Sequence, residues 1–338
     1  ASNVAAGQKV VVATIGTTIY PKNGAPLTMK LAKIRGEASE GMICAEDEIG
    51  LSDNHDGIMI LDNAIAVGTP VASLFDYYED WIYEIGLTPN RMDAMSHYGV
   101  AKDVCAYLSY HESPVSAKSP YNKALTTDQT VPTYKVTIED QQACSRYAGV
   151  VIEGVQVKAS PAWLKNKLQS IGLRSINNIV DITNYILHET GQPLHAFDAS
   201  VIKDQHVVVK KYPAGTSFIS LDGTERKLTA SDLMISDTEK PMCIAGVFGG
   251  LNSGVKESTT SIFLESAWFN NVSIRKTSVH HGLRTDAATR FEKGVDIDST
   301  VKVLERAALM IQEIAGGKIG KVVDVYPSPA TKTKVVLP

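Results

Sequence analysis

Residues 281–296 read His-Gly-Leu-Arg-Thr-Asp-Ala-Ala-Thr-Arg-Phe-Glu-Lys-Gly-Val-Asp, and this polar stretch carries the most information about the chain. It has few apolar residues and no clear helical or strand spacing, so core packing does not explain it. Its small residues stand between hydroxyl, carboxylate and guanidinium groups. This composition is typical of a pocket wall that binds a polar ligand.

Glu265 is the second unusual position, because it ends the apolar, strand-like run Ile262-Phe263-Leu264. A carboxylate in such surroundings requires a partner. From the residues alone two partners remain open. Glu265 forms a buried ion pair with Arg284 or Arg290, or it receives a hydrogen bond from a ligand.

The bulk composition is that of an ordinary soluble protein. The chain has 338 residues, of which 44% are hydrophobic and 21% charged, and this length suits two or three domains. No apolar run approaches the roughly 20 residues that span a bilayer, and no signal peptide opens the chain. We therefore expect a cytoplasmic protein with no membrane partner. Because the first residue is not Met, we expect a fragment of a longer protein.

The cysteines give no metal or disulfide pattern. They lie far apart, without a Cys-x-x-Cys pair or a nearby His at ligand spacing, and free buried thiols in a reducing cytosol are expected. They are Cys44, Cys105, Cys144 and Cys243.

Charge is distributed unevenly along the chain. The net charge is −4, but the acidic excess lies in residues 1–144, whereas residues 145–338 carry a net positive charge. A polyphosphate partner is therefore expected to contact the second half.

Three segments carry a resemblance to a known family. The string Gln192-Pro193-Leu194-His195-Ala196-Phe197-Asp198, the run that ends at Glu265 and the stretch 281–296 closely resemble the B3/B4 editing module of the bacterial phenylalanyl-tRNA synthetase β chain. Residues 33–44 also resemble the signature of the OB-fold tRNA-binding domain of that chain. The alternative for 33–44 is a turn-rich strand pair in any small barrel.

The pattern of elements predicts an α+β protein, with a partial OB-fold β-barrel followed by a mixed α/β B3/B4 editing domain. Residues 8–75 read as short strands broken by turns. By the resemblance the chain begins inside the barrel, so that its first strands are missing. We predict three parts: a partial OB-fold tRNA-binding domain at 1–86, a helical connector and linker at 87–133, and the B3/B4 tRNA-editing domain at 134–338.

Helix signals mark the later parts of the chain. A helix is predicted from Thr88-Pro89 to about residue 108. Ser160 is predicted to cap a helix that runs through Ile171. Further helices are predicted at about 179–189 and 299–315. Strands are predicted at 147–154, 206–211, 217–221, 233–236, 242–247 and 261–265.

The resemblance implies a catalytic group of His195, Glu265 and Thr285. His195 holds the 3′-terminal adenosine or orients water, or acts as a general base. An isolated His at this place is otherwise a hydrogen-bonded structural residue. Glu265 accepts a hydrogen bond from the phenol of a tyrosine substrate. Thr285 brings a hydroxyl close to the scissile ester.

The resemblance also implies substrate-binding residues. Ala287 leaves room for the aromatic ring, and at Gly249 any side chain would fill the pocket, although a simple tight turn also explains that glycine. The remaining predicted contacts are Arg174, Thr183 and Asn184, and Asn184 also has a structural alternative as the polar partner of Asp181. No metal ligands are predicted. No Ser-His-Asp signature or nucleophile elbow is present, so hydrolysis is expected to use positioned water and backbone donors.

The function implied is that of a phenylalanine–tRNA ligase β-subunit segment that binds tRNA and hydrolyses mischarged Tyr-tRNA(Phe). No cofactor is expected in the fragment, because ATP and Mg²⁺ serve the charging of tRNA(Phe) with phenylalanine by the holoenzyme. The expected partners are tRNA(Phe) and the α subunit of an α2β2 heterotetramer. The alternatives are a non-catalytic tRNA-positioning module and a freestanding aminoacyl-tRNA deacylase.

Overall fold

The structure is a computed structural model, which describes residues 1–21, 24–52, 54–75, 78–331 and 334–336. The chain divides into two compact units, residues 1–80 and residues 81–338. The three-part division from the sequence stays a proposal, although the structure groups the connector with the residues that follow it.

The first unit consists of short antiparallel strand pairs around a small core. Its strands are β1 (Lys9–Val10), β2 (Val12–Thr14), β3 (Thr18–Ile19), β4 (Leu27–Thr28), β5 (Ala32–Ile34), β6 (Glu37–Ser39), β7 (Gly41–Ile43) and β8 (Ile60–Leu61). The pairs are β1 with β8, β2 with β7, β3 with β4, and β5 with β6. Val11 and Ala13 are buried while Val12 is exposed, which is the alternation of a sheet with one covered face. The predicted short strands of this region are confirmed.

The second unit mixes helices with longer strands. Its helices are α1 (His97–His111), α2 (Ala162–Ser170), α3 (Asn178–Thr190), α4 (Asn271–His281), α5 (Asp286–Lys293) and α6 (Thr300–Ala315). Its strands are β9 (Lys135–Ile138), β10 (Cys144–Glu153), β11 (Leu194–Asp198), β12 (His206–Lys211), β13 (Ser217–Ile219), β14 (Glu225–Lys227), β15 (Leu233–Ser236), β16 (Pro241–Ile244), β17 (Phe248–Gly249), β18 (Ser261–Phe269), β19 (Lys318–Ile319) and β20 (Val323–Val325). The α+β class is confirmed.

Two five-stranded sheets organise this unit. The central sheet has the order β11-β18-β10-β19, with β20 also paired to β10, and all its pairs are antiparallel. The second sheet has the order β17-β16-β15-β12-β9 and contains one parallel pair, β12 with β9. One face of the central sheet packs against α2, α3 and α6. Its other face shares a core with the second sheet, α4 and α5, and we call this layer the inter-sheet core.

Local signals account for the helices that the sequence predicted correctly. The Asn177 side chain caps α3 by accepting from the backbone N–H groups of Ile179 and Val180, and Gly191 ends the helix at φ 84°. The apolar side of α6 includes Val303, Leu304, Ala307 and Ile311, all fully buried. Both helices therefore follow from capping and apolar spacing.

Two local predictions are wrong. The helix predicted from Thr88 begins only at α1, because Ser96 caps it by accepting from the Gly99 N–H at 2.9 Å. Ser160 does not cap α2, since its hydroxyl donates to buried Asp181. The stretch 281–296, which shows no clear helical spacing in the sequence, nevertheless contains α5. The helix could not be predicted from this polar sequence, because an eight-residue helix needs few apolar residues to cover its buried side.

Gly149, on the face of β10 towards the inter-sheet core, has no space for a side chain. A methyl group there would overlap the ring of Phe263. We expect Gly149→Ala to lower the free energy of unfolding by about 1–3 kcal/mol, through overpacking. The measurement is urea denaturation. Gly254→Ala is the matched control, because nothing lies within 4 Å of the added methyl group, and an equal loss in both variants contradicts the prediction.

Candidate functional site

His195 and Glu265 lie directly opposite each other on neighbouring antiparallel strands. His195 is in β11, Glu265 is in β18, and the two are register partners. Residues opposed in this way point to the same face of a sheet, with Cβ atoms about 4.5–5.5 Å apart. Phe197, two residues after His195, shares that face and belongs to the inter-sheet core. The structure therefore brings these two predicted site residues together between the sheets.

Glu265 is almost completely enclosed, with 5% of its surface exposed. The Tyr147 hydroxyl on β10 donates to Glu265 Oε2 at 2.9 Å. The other carboxyl oxygen, Oε1, has no hydrogen-bond partner among the described residues, and this atom is not completely enclosed. Desolvation raises the pKa of Glu265 to about 8, and the Tyr147 hydrogen bond offsets part of this rise. Glu265 is therefore mostly protonated and neutral at pH 7.

The ion-pair alternative for Glu265 is wrong. Arg284 is exposed, and Arg290 donates from Nε to the Met95 carbonyl at 3.3 Å. An arginine beside Glu265 would lower the pKa of the carboxyl, whereas desolvation without a counter-ion raises it. The carboxyl group has the phenol of Tyr147 as its partner instead of a guanidinium.

The His195 imidazole is also neutral. Its Nε2 atom is enclosed and has no hydrogen-bond partner in the part of the chain that the structure describes. Its ring packs edge-on against Phe197 with centroids 4.5 Å apart. Desolvation lowers the pKa of His195 to about 4, because burial disfavours the charged form. A buried nitrogen without a partner is unusual in a purely structural histidine.

Gly249 in β17 closes one side of the imidazole. A Cβ atom at this position would lie 3.3 Å from His195 Cε1 and 3.7 Å from Nε2. Gly249 has no positive φ, whereas Gly246 in the preceding turn has φ 67°. The turn therefore requires Gly246, and the space beside His195 requires Gly249.

Thr285 fixes the start of α5 next to this glycine. Its hydroxyl donates to the Val247 carbonyl at 2.9 Å and accepts from the Ala288 N–H at 3.1 Å. It is thus the N-cap of α5 and ties the helix to the segment that leads into β17. Ala287 lies half-buried in the first turn of α5. The predicted role of Thr285 beside an ester stays a prediction.

Arg174, Thr183 and Asn184 lie elsewhere in the unit. Thr183 and Asn184 are in α3, whose apolar side packs on the opposite face of the central sheet from His195. The Thr183 hydroxyl donates to the Val180 carbonyl at 2.7 Å, and Arg174 is exposed. Within the described parts of the chain, no hydrogen bond joins these three residues to His195 or Glu265, so their substrate role stays a prediction.

Asp181 does not pair with Asn184. Its carboxylate is fully buried and accepts from the Ser160 hydroxyl, the Ser175 hydroxyl and the Ile176 N–H. These bonds hold the segment that carries Arg174 against the start of α3. The structural alternative for Asn184 therefore lacks its proposed partner.

Sequence reasoning missed Tyr147. It lies on a strand that was predicted correctly, and a buried tyrosine hydroxyl usually has a hydrogen-bond partner. That rule indicates that Tyr147 has a partner but does not identify Glu265, which is 118 residues away. Only the pairing of β10 with β18 brings the two together.

The described residues contain no group of three or more His, Cys, Asp or Glu side chains that could hold a metal ion. Across the same residues, no helix is both long and apolar enough to cross a membrane.

Two family models match parts of this chain. A family model described as the B3/4 domain matches residues 143–316, which include His195, Gly249, Glu265 and Thr285. The chain belongs to the B3/4 domain family. A second model, described as a putative tRNA binding domain, matches residues 1–70. The predicted order of a tRNA-binding OB-fold followed by a mixed α/β domain is confirmed.

Relatives resemble nearly the whole chain. The phenylalanine–tRNA ligase β subunits of Bacteroides fragilis and Porphyromonas gingivalis are each 53% identical to it, over 98% and 97% of its length. The chain spans 40% of the length of each relative. The resemblance predicted from the sequence motifs is thus confirmed.

A solved N-terminal fragment of the Pyrococcus horikoshii phenylalanyl-tRNA synthetase β subunit has 13% identity and a TM-score of 0.35, covering 70% of this chain and 64% of the fragment. This likeness is too weak to support an argument.

The perturbed pKa values of Glu265 and His195 predict a pH dependence of stability. Because the pKa of Glu265 is raised to about 8, the folded state holds a proton that the unfolded state releases near pH 4.5, and stability falls as pH rises towards 8. The lowered pKa of His195 has the opposite effect, but only between about pH 4 and 6.5. Between about pH 6.5 and 8 we therefore expect the Glu265 effect to dominate, with a slope of up to about 1.4 kcal/mol per pH unit. Exposed His55, whose pKa the hydrogen bond to Asp47 raises, contributes in the same direction.

Urea denaturation of the wild type and of Glu265→Gln over this range measures the effect. We expect the substitution to remove most of the fall, because an amide does not titrate, and the part due to His55 remains in both proteins. Glu225→Gln is the control, since Lys227 and Ser217 lower the pKa of exposed Glu225. Parallel curves for the wild type and Glu265→Gln contradict the prediction.

Proposed function

We propose that this chain is part of a phenylalanine–tRNA ligase β subunit, in which its B3/4 unit hydrolyses tyrosine wrongly attached to tRNA(Phe). The observation that carries the proposal is the meeting of His195, Glu265 and Gly249 in the inter-sheet core, with one carboxyl oxygen and one imidazole nitrogen left without partners. The near full-length similarity to ligase β subunits supports it.

The physics of discrimination gives such a site a purpose. An apolar pocket that selects phenylalanine rejects an added hydroxyl by only about 10²-fold. A second pocket with a buried carboxyl group reverses the preference. The phenol of tyrosine satisfies Glu265, whereas phenylalanine leaves the group unpaired, which costs about 1–3 kcal/mol. Only the wrongly attached amino acid then binds well.

The reaction is hydrolysis of an aminoacyl ester. Water attacks the ester carbonyl, the bond to the ribose oxygen breaks, and that oxygen takes the proton, releasing tyrosine and tRNA. A histidine with a pKa of about 4 is a weak base at neutral pH. We therefore propose that His195 holds the terminal adenosine or a water molecule by its unpaired Nε2. Thr285 acts by holding α5 and Ala287 in place, and rate enhancement comes from positioning.

The remaining parts of the proposal concern the complete ligase. We propose tRNA(Phe) as the RNA partner, contacted by the tRNA-binding unit and by the basic second half, with Arg174, Thr183, Asn184 and Ala287 on the substrate path. The α subunit of an α2β2 heterotetramer is the proposed protein partner, and the cytoplasm is the proposed location. ATP and Mg²⁺ serve the charging reaction of the complete enzyme, and no step in this chain passes through them.

Hydrolysis of Tyr-tRNA(Phe) by the complete ligase tests this function. We expect the wild type to release tyrosine well above the spontaneous rate, and His195→Ala to slow release about 10²-fold, since misplacement of a bound group costs about that much. Charging with phenylalanine should be unchanged in the variant. Release at the spontaneous rate in the wild type contradicts editing and favours the non-catalytic tRNA-positioning alternative. Release by the chain alone at the full rate favours the freestanding deacylase.

Gly249→Ala tests the space beside His195. The added methyl group at 3.3 Å from Cε1 is tighter than ordinary van der Waals contact and shifts the imidazole by a few tenths of an ångström, so we expect hydrolysis to fall about tenfold. The backbone at Gly249 suits any residue, so thermal unfolding should change little. Gly254→Ala is again the control and should keep full hydrolysis. Unchanged hydrolysis in Gly249→Ala means that the pocket does not use this space.

A further inference from the structure

Tyr147 is a fully buried tyrosine in the middle of β10. Gly149, two residues later on the same face, is the register partner of Glu265, and Tyr147 itself is opposite Ala267. The Tyr147 side chain therefore runs diagonally across the pair, and its hydroxyl donates to Glu265 Oε2 at 2.9 Å. The structure thus already holds one phenol against the carboxyl group proposed to bind the phenol of a substrate.

No other titratable group competes for this carboxyl group among the described residues. His195 faces it from β11 but is neutral. Cys144 on β10 and Cys243 on β16 also lie near, but their thiols donate to the backbone carbonyls of Arg146, and of Ile244 and Phe248. The orientation of Glu265 therefore depends on Tyr147.

We propose that Tyr147 is a positioning residue for specificity: it occupies Oε2 of Glu265 and so presents Oε1 to the phenol of the substrate. The proposal rests on the editing function above. With Oε2 fixed, the carboxyl group cannot turn, and its remaining oxygen is held ready for one incoming hydroxyl. Phenylalanine cannot use this oxygen, so the orientation set by Tyr147 strengthens discrimination between the two amino acids.

The test uses the complete ligase with Tyr147→Phe, and with Tyr134→Phe as a matched control. Tyr134 is buried in the same inter-sheet core, but its hydroxyl donates to the Ala199 carbonyl at 3.1 Å. The measured quantity is kcat/KM for Tyr-tRNA(Phe) divided by that for Phe-tRNA(Phe). We expect Tyr147→Phe to lower this ratio at least about tenfold, mainly through a higher KM for the tyrosyl ester. Tyr134→Phe should leave it unchanged.

A double-mutant cycle separates positioning from general loss of packing. If Tyr147 acts through Glu265, adding Tyr147→Phe to Glu265→Ala, which removes both carboxyl oxygens, causes no further loss of the ratio. Additive losses, or an equal fall for both esters, overturn the proposal. A wild type without hydrolysis overturns the editing function first, and the proposal with it.

A second readout needs no substrate. The Tyr147 hydrogen bond lowers the pKa of Glu265, so its loss in Tyr147→Phe should raise that pKa further. The pH at which stability stops falling then moves upwards from about 8. An unmoved pH profile means that the phenol does not control the carboxyl group, and this result contradicts the positioning role even where hydrolysis is normal.

Discussion

The hydrogen bond from Tyr147 to Glu265 lies between two apolar sheets, and the properties of the candidate site follow from this enclosure. A carboxyl group removed from water without a counter-ion is neutral at pH 7, and so is the imidazole of His195 opposite it. The sheets can therefore pack tightly around the pair. A charged pair in the same place would bear a desolvation penalty of several kcal/mol for each ion.

The same enclosure connects stability with function. Protonation keeps Glu265 compatible with the core, and in the proposed editing site its unpaired Oε1 is the atom that selects a ligand with a hydroxyl. Gly149 leaves room for the ring of Phe263, and Gly249 leaves room for the imidazole of His195. The surrounding core is thus built around a polar group that has one hydrogen bond, from Tyr147, among the described residues.

Much of this unit was predictable from local signals. Helices α3 and α6 have clear caps or apolar sides, and strands β12 and β15 have continuous apolar runs. The start of α1 was not predictable from Thr88-Pro89, because Ser96 provides a better cap. Helix α5 was hidden because the buried residues within it are only Ala288 and Phe291, too few to set a period. Ser160 has a typical capping sequence, yet Asp181 takes its hydroxyl.

The sequence by itself determined the α+β class and the family resemblance, and it singled out His195, Gly249 and Glu265 as candidates, because short irregular motifs and isolated polar residues are visible without coordinates. The tertiary structure alone decided which groups meet. Strand pairing places His195 opposite Glu265 and selects Tyr147, instead of Arg284 or Arg290, as the partner of the carboxyl group. The separation of two residues along the chain does not reveal which of them face each other across a sheet. That register depends on how the apolar faces of the strands pack together.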